Sequence, residues 1–354
     1  MRFIAATSAL LALTVAAVWL VAFGPGNDLD EIEAYRPVET SQSEPIVVIV
    51  EPGASTEQIA DDLETKGAIE SATQFRVLVA FLGYDQMLQS GEYEFERRTP
   101  ELDAVYRIRR GLVSTKAVTV VEGWRLEEIA DAVAAQGIAR NEFLTAAHRS
   151  DYEFSFLEDL RIGQRLDGYL FPATYTIRKR DSARDVVQQM LKAFDDNVPA
   201  TVQEQGESQG LTLHEVLTLA SIIEREAVVA EERPIMAQVF LKRLRLGIPL
   251  EADPTVQYAV ANDADSVSEF GYWKQELTQE DLDIDSPYNT YLESGIPPGP
   301  IASPRLDSIN AVVNPASTEY LYFVAKPDGS HAFAETLQEH LDNIELFGAD
   351  NETP

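Results

Sequence analysis

Carboxylates are the chemistry this chain has most of. It carries 59 Asp and Glu against 28 Lys and Arg and has no cysteine, so thiolate chemistry, disulfides and Cys-ligated metals are excluded. The four histidines, His148, His214, His331 and His340, lack zinc-ligand spacing, and neither a Gly-rich nucleotide loop nor a serine elbow is present. No metal and no cofactor is expected. One stretch stands out: "LASIIEREA", residues 219–227. With Thr212 as N-cap and Glu215 as its capping-box partner, a helix runs through it. Steps of about 100° put Leu213, Val216, Leu217, Ala220 and Ile223 in one apolar arc, and Glu224 falls inside that arc. Arg225 and Glu226 fall on another side. An ionised carboxylate on an apolar face must find a cation or donors, or else hold its proton. A carboxyl protonated near neutral pH is what a general acid requires. The alternative is a structural Glu224 paired with an arginine, Arg233 or Arg243. Glu226 is the other carboxyl that could serve as catalyst.

Elements that could position such a helix are legible on both sides of it. "VVIVEPGASTEQIADDLETKGAI" (Val47–Ile69) echoes "AVTVVEGWRLEEIADAVAAQGI" (Ala117–Ile138), with Gly53/Gly123, Ile59/Ile129, Asp61/Asp131 and Gly67/Gly137 all 70 residues apart. Each copy reads as strand, Gly turn, amphipathic helix and Gly stop. Between the copies, "QFRVLVAFLGY" predicts a helix, "SGEYEFE" a short strand and "VYRIRRGLVS" a helix ending at Gly111. Further on, helices are predicted over 185–198, 212–228, 232–246, 305–314 and 332–345, with a strand in "TEYLYFVAKPDGSHAF". The fold class is α+β.

The N-terminus bears on location. Phe3–Phe23 holds no charge over 21 residues, enough for roughly 30 Å of helix. Arg2 precedes the run and Asp28, Asp30, Glu31 and Glu33 follow it, which places the N-terminus in the cytoplasm and the bulk outside. The alternative is a cleaved signal peptide, though the run is longer than a signal core and "VAFGPG" is a poor cleavage site. The domain reading is a transmembrane anchor over 1–25, a polar linker over 26–44, a βα module over 45–115, a mixed α+β catalytic domain over 116–346 and an acidic tail over 347–354. A net charge of −31 without a Lys/Arg cluster makes nucleic acid a poor partner.

"LASIIEREAVVAEERPIMAQVFLKRL" followed by "IPLEADPTVQYA" (Ile248–Ala259) resembles the signature of the YceG/MltG family of endolytic murein transglycosylases. Three blocks agree in order: "LDGYLFPATY" (Leu166–Tyr175), "DSPYNTYLESGIPPGPI" (Asp285–Ile301) and "YLYFVAKPDGSHAFAETLQEH" (Tyr320–His340). Asp167 stands where the family pattern has Glu, Ala173 where Asp is common, and "ASPRLDS" replaces Asn-Pro-Gly. These departures weaken any catalytic role for positions 167 and 173.

The resemblance implies a lyase, a lytic transglycosylase of peptidoglycan. It would cut the MurNAc-β-1,4-GlcNAc bond of nascent strands without water and leave 1,6-anhydroMurNAc ends that limit strand elongation. It maps the catalytic glutamate onto Glu224 and makes residues 45–115 a LysM-like domain. Substrate-binding candidates in the motif loops are Tyr169, Phe171, Tyr175, Gln257, Tyr258, Tyr288, Asn289 and Tyr291. Asp253 either caps a helix or binds sugar hydroxyls, and His331 either touches substrate or packs. The implied partners are glycan strands and glycan synthases; the implied place is the bacterial inner membrane, single-pass, with the catalytic part periplasmic. The competing expectation is an anchored peptidoglycan-binding scaffold without activity. A hydrolase pairing Glu224 with Asp253 is a further alternative.

Overall fold

The computed structural model describes residues 45–111, 115–178 and 181–347. The apolar run Phe3–Phe23, the linker and most of the acidic tail lie outside the described residues. Among the described residues no helix is long and apolar enough to cross a membrane.

The N-terminal unit is β1 (Ile46–Val50), α1 (Thr56–Thr65), α2 (Ala72–Leu82) and β2 (Gly91–Phe95), followed by α3 (Glu101–Arg110). β1 and β2 pair antiparallel, Val48 opposite Tyr93. Its core is its own: Val48, Leu63, Phe75, Tyr93, Phe95 and Ile108 are buried together. α3 stops at Gly111, whose φ of 64° is the left-handed cap that the sequence "RRG" predicts.

The 70-residue echo is a structural repeat. β3 (Thr115–Thr119), α4 (Leu126–Ala134), α5 (Arg140–Ala146) and β4 (Thr174–Arg178) repeat the β-α-α-β order, and β3 pairs antiparallel with β4. Residues 147–173, which carry "LDGYLFP", are inserted before β4. This second unit merges its core with a helical assembly: α6 (Ala183–Asn197), α7 (Thr201–Ser208), α8 (Leu213–Glu226), α9 (Arg233–Leu246), α10 (Asp253–Val260), short helices α11 (Ala264–Phe270) and α12 (Gln279–Leu282), and α13 (Leu306–Val313). A hairpin of β5 (Tyr322–Ala325) and β6 (His331–Ala334) and the helix α14 (Leu337–Phe347) close the described chain. The single strand expected near the end is thus two strands turned at Asp328–Gly329. The helix expected from 332 begins only at 337, because β6 takes up 331–334.

α8 is the axis of the larger unit. It packs against α7, α9, α10 and α13. The Thr212–Glu215 capping box forms as the sequence predicts: Thr212 Oγ1 accepts from the Glu215 N–H at 3.2 Å, and Glu215 accepts from the Thr212 N–H at 2.8 Å. Such a cap contributes about 1 kcal/mol. All residues from Val216 to Ile223 are buried, so the helix is enclosed on every side rather than on one stripe. It ends at Glu226, where Ala227 turns extended. Ser221 Oγ accepts from the Ile301 N–H at 3.0 Å, which ties the Pro-Pro-Gly-Pro-Ile loop to the helix.

Candidate functional site

Glu224 is sheltered but not unpaired. Its side chain is 2% exposed, and Arg305 Nε lies 2.8 Å from Oε1. Oε2 accepts from the Arg305 backbone N–H at 3.1 Å and from Ser308 Oγ at 2.7 Å. The expected lone acid is therefore a four-bond anchor between α8 and the first turn of α13. Its cation is Arg305, not Arg233 or Arg243.

Two residues on, Glu226 behaves oppositely. Among the described residues no hydrogen bond and no ion pair reaches its carboxyl. Its pKa is pushed up to about 8, first by burial, then by the charge of Asp253, with Arg225 opposing. As the last residue of α8 it also sits at the negative end of the helix dipole, which disfavours a second negative charge there. Glu226 is the carboxyl that keeps its proton near neutrality.

Asp253 faces it from the first position of α10. It does not cap that helix: the N-cap is Ala252. Asp253 Oδ1 instead accepts from the Tyr291 hydroxyl at 2.6 Å. Burial and the adjacent Asp253 charge raise the Tyr291 pKa, so the phenol stays a donor.

Arg225, read from the sequence as a surface charge, is packed inward. Its guanidinium carbon lies 3.9 Å from the Trp273 ring centre, and Trp273 Nε1 donates to Glu128 Oε2 at 2.9 Å. Arg225 Nη1 reaches Gly123 O at 3.4 Å, while its Nε is buried without a hydrogen-bond partner among the described residues. Gly123 has φ +78°, and a Cβ there would stand 3.3 Å from Arg225 Nη1. Its counterpart in the first repeat, Gly53, meets nothing within 4 Å, so the close approach belongs to the second copy alone.

The aromatic candidates divide. Tyr258 and Tyr288 form one wall, with ring centres 4.7 Å apart and the Arg125 guanidinium 4.3 Å over Tyr258. Arg165 bridges Asp167 at 2.8 Å and Glu127 at 2.8 Å. Burial pushes the Glu127 carboxyl up, but Arg125 and Arg165 together bring it down to about 2. Tyr288, Arg165 and Asp167 line an open cleft of about 460 Å³ together with His214 and the Pro298–Pro300 loop.

Other candidates are structural. Tyr169 is 1% exposed, its hydroxyl 3.1 Å from His214 Nδ1 and its ring stacked among Phe156, Phe194 and His214. Asn289 is fully buried and donates to Leu282 O and Ile284 O, clamping its own loop. Neither can touch a polymer. Phe171 packs against the core and receives the Tyr175 hydroxyl on its carbonyl, and Tyr175 lines a different cavity beside α6. Gln257 Nε2 donates to Lys274 O at 2.9 Å, fixing the loop that bears Trp273. His331 is held by Glu232, Nδ1 to Oε2 at 2.7 Å, on the β5–β6 hairpin. Of the predicted set, the structure gathers Asp253 and Tyr291 near Glu226, and Tyr258 and Tyr288 along the adjoining wall. Arg225, Trp273, Arg165 and Arg305 were not singled out. None sits in a spacing pattern; only the fold brings them in.

Among the described residues no group of His, Asp and Glu is arranged to hold a metal ion. The chemistry on offer is proton transfer by one unpartnered carboxyl, beside a second carboxylate held by a phenol.

The chain matches the model of the YceG-like family over residues 48–346. It is 34% identical over 320 residues to the endolytic murein transglycosylase of Bacillus subtilis, covering 86% of this chain and 85% of the relative. It is 29% identical over 338 residues to the protein of the same name in Streptococcus pneumoniae D39, covering 88% of this chain and 60% of that longer relative. The crystal structure of a putative yceG-like protein from Listeria monocytogenes superposes with a TM-score of 0.55 at 31% identity, over 84% of this chain and 98% of that one.

Proposed function

The chain belongs to the YceG-like family, and from that premise we propose that it is an endolytic murein transglycosylase whose proton-transfer group is Glu226 rather than Glu224. The observation that carries the assignment is the contrast between the two carboxyls. Glu224 is fully engaged by Arg305 and Ser308, whereas Glu226 has no partner among the described residues and a pKa pushed up to about 8.

At neutral pH Glu226 holds a proton and donates it to the bridging oxygen of the glycosidic bond. The C1–O bond breaks, and positive charge spreads over C1 and the ring oxygen. The neighbouring Asp253 carboxylate is the group that would stabilise that charge, and the Tyr291 hydroxyl keeps it oriented. Glu226, now a carboxylate, takes the proton from the same sugar's C6 hydroxyl as O6 closes on C1. The 1,6-anhydro ring forms, Glu226 regains its proton, and no water is consumed. The tethered O6 replaces the second side chain that a hydrolase needs, through its high effective concentration. Acid–base help of this kind contributes about 10²–10⁴-fold.

Tyr288, half-buried on the cleft, supplies an aromatic face for a sugar ring, with the buried Tyr258 packed behind it. The first β-α-α-β unit, which has its own core, is read as a LysM-like module that orients the catalytic domain. The apolar run Phe3–Phe23 is read as a single-pass anchor that keeps the site near newly made strands outside the cytoplasm, with glycan synthases as partners.

One observation favours a second reading. Glu226 and Asp253 are two neighbouring carboxyls, the arrangement of a hydrolase. The protein incubated with uncrosslinked glycan, followed by the mass of the new ends, separates the readings. Ends lighter by one water support the lytic reaction. Ends carrying an added water mean a hydrolase, and an uncut polymer means a scaffold.

A further inference from the structure

Within the lytic reading, the cleft of about 460 Å³ beside His214 is unused by the chemistry at Glu226. Its size is that of a small-ligand site. We infer that this cleft is a subsite for the peptide stem of the glycan strand, and that Arg161 receives a free carboxylate of that stem.

The charges facing the cleft are Arg161, Arg165, Asp167 and His214. Arg165 is consumed internally: Asp167 takes Nε at 2.8 Å and Nη2 at 3.1 Å, and Glu127 takes Nη2 at 2.8 Å. His214 is consumed as well, with Nε2 2.9 Å from Pro298 O and Nδ1 3.1 Å from the Tyr169 hydroxyl. Arg161 is not. Only its backbone is engaged, its N–H donating to Gln164 Oε1 at 3.3 Å and its carbonyl accepting from the Gln164 N–H at 3.0 Å, and among the described residues no carboxylate pairs with its guanidinium. In a chain with a net charge of −31, that leaves a guanidinium at the rim of a cleft with its donors open. A guanidinium matches a carboxylate two bonds at a time. Beside it Ile162 is 76% exposed, an apolar surface suited to the methyl groups of alanine.

The spacing agrees. His214 and Glu226 are twelve residues apart on α8, about 18 Å along the axis. A stem of four or five residues, extended, spans about 13–18 Å. His214 and Arg161 share the cleft, so the stem of a strand cut at Glu226 is long enough to pass Tyr288 and bring its end carboxylate into that cleft. Tyr288 belongs to both places, lining the cleft and stacking on Tyr258. The Pro298–Gly299–Pro300 loop closes the far side, and a Cβ on Gly299 would stand 3.2 Å from His214.

The test uses the full chain and three substrates: strands bearing intact stems, the same strands with stem carboxyls amidated, and strands stripped of stems by an amidase. Wild type should show about tenfold higher kcat/KM on intact stems than on the other two, the scale of one charge-assisted contact. Arg161→Ala should lose that preference and leave turnover of stripped strands unchanged. Equal wild-type rates on all three, or an equal loss by Arg161→Ala on all three, overturns the subsite while leaving the lytic reading intact. Absence of anhydro ends from every substrate overturns the lytic reading and the subsite with it.

Discussion

Replacing Glu226 by Gln removes a group whose proton affinity differs between folded and unfolded chains, and the consequence for stability has a definite sign. In the folded protein the carboxyl titrates near 8, against 4.5 for the ordinary carboxyl. Below 4.5 both states hold the proton, and the side chain costs nothing extra. Between 4.5 and about 8 the unfolded chain releases its proton while the folded chain keeps it, so stability falls as pH rises. Above 8 both are ionised, and the folded state carries a half-buried charge that no cation pairs with among the described residues. At about 1.4 kcal/mol per tenfold in proton affinity, the whole interval is worth on the order of 2–5 kcal/mol. Gln is close in shape and does not titrate. Urea unfolding can be followed by the fluorescence of Trp124 and Trp273, both packed against the larger core. At pH 4 the two proteins should be nearly equal, and by pH 9 the Gln variant should be more stable by that amount. Other titrating groups, such as Glu127 with its pKa near 2, are common to both proteins and cancel in the difference. A difference that stays flat from pH 5 to pH 9 would show that Glu226 is an ordinary surface carboxylate, and the argument for its role would fail.

Other substitutions follow from the same geometry. Glu224→Gln leaves Arg305 without its counter-charge; it should cost about 1–3 kcal/mol in chemical denaturation, discounted because Arg305 is 39% exposed, while specific activity of the folded fraction stays within about threefold. Tyr291→Phe removes the donor that orients Asp253 and should lower kcat about tenfold or more with a smaller effect on KM, read by steady-state kinetics on soluble strands. The pH–rate profile should lose activity as pH rises through about 8, when Glu226 gives up the proton it must donate. Gly123→Ala forces a Cβ against the Arg225 guanidinium at a positive φ and should cost about 1–3 kcal/mol, whereas Gly53→Ala pays only the backbone strain.

Much of the fold was legible because local signals carry it. The Thr212–Glu215 box, the Gly111 stop and the 70-residue echo each mark an element that formed as written. The hairpin at Asp328–Gly329 was missed because its two short strands read as one apolar run. The site was harder, for a reason that lies in α8 itself. Periodicity separates an inside from an outside only when a helix has an outside, and α8 is enclosed on every face from Val216 to Ile223. The apolar arc therefore correctly marked the Glu224 side chain as sheltered, but it carried no sign of the half-buried, like-charged setting of Glu226. What distinguishes them is partners: Arg305 and Ser308, more than eighty residues away, against Asp253, twenty-seven away and of like charge. No spacing rule encodes that. Tyr169 and Asn289 misled for a related reason, since both stand in motif loops whose interior they hold together.

The central claim is that one proton shuttles through Glu226. Its most direct test is the rate of anhydro-end formation by wild type, Glu226→Gln and Glu224→Gln on one uncrosslinked strand preparation, each normalised to folded protein. The account requires a fall of at least about 100-fold for Glu226→Gln and near-normal turnover for Glu224→Gln. The reverse ranking, with Glu224→Gln silent and Glu226→Gln active, would contradict it.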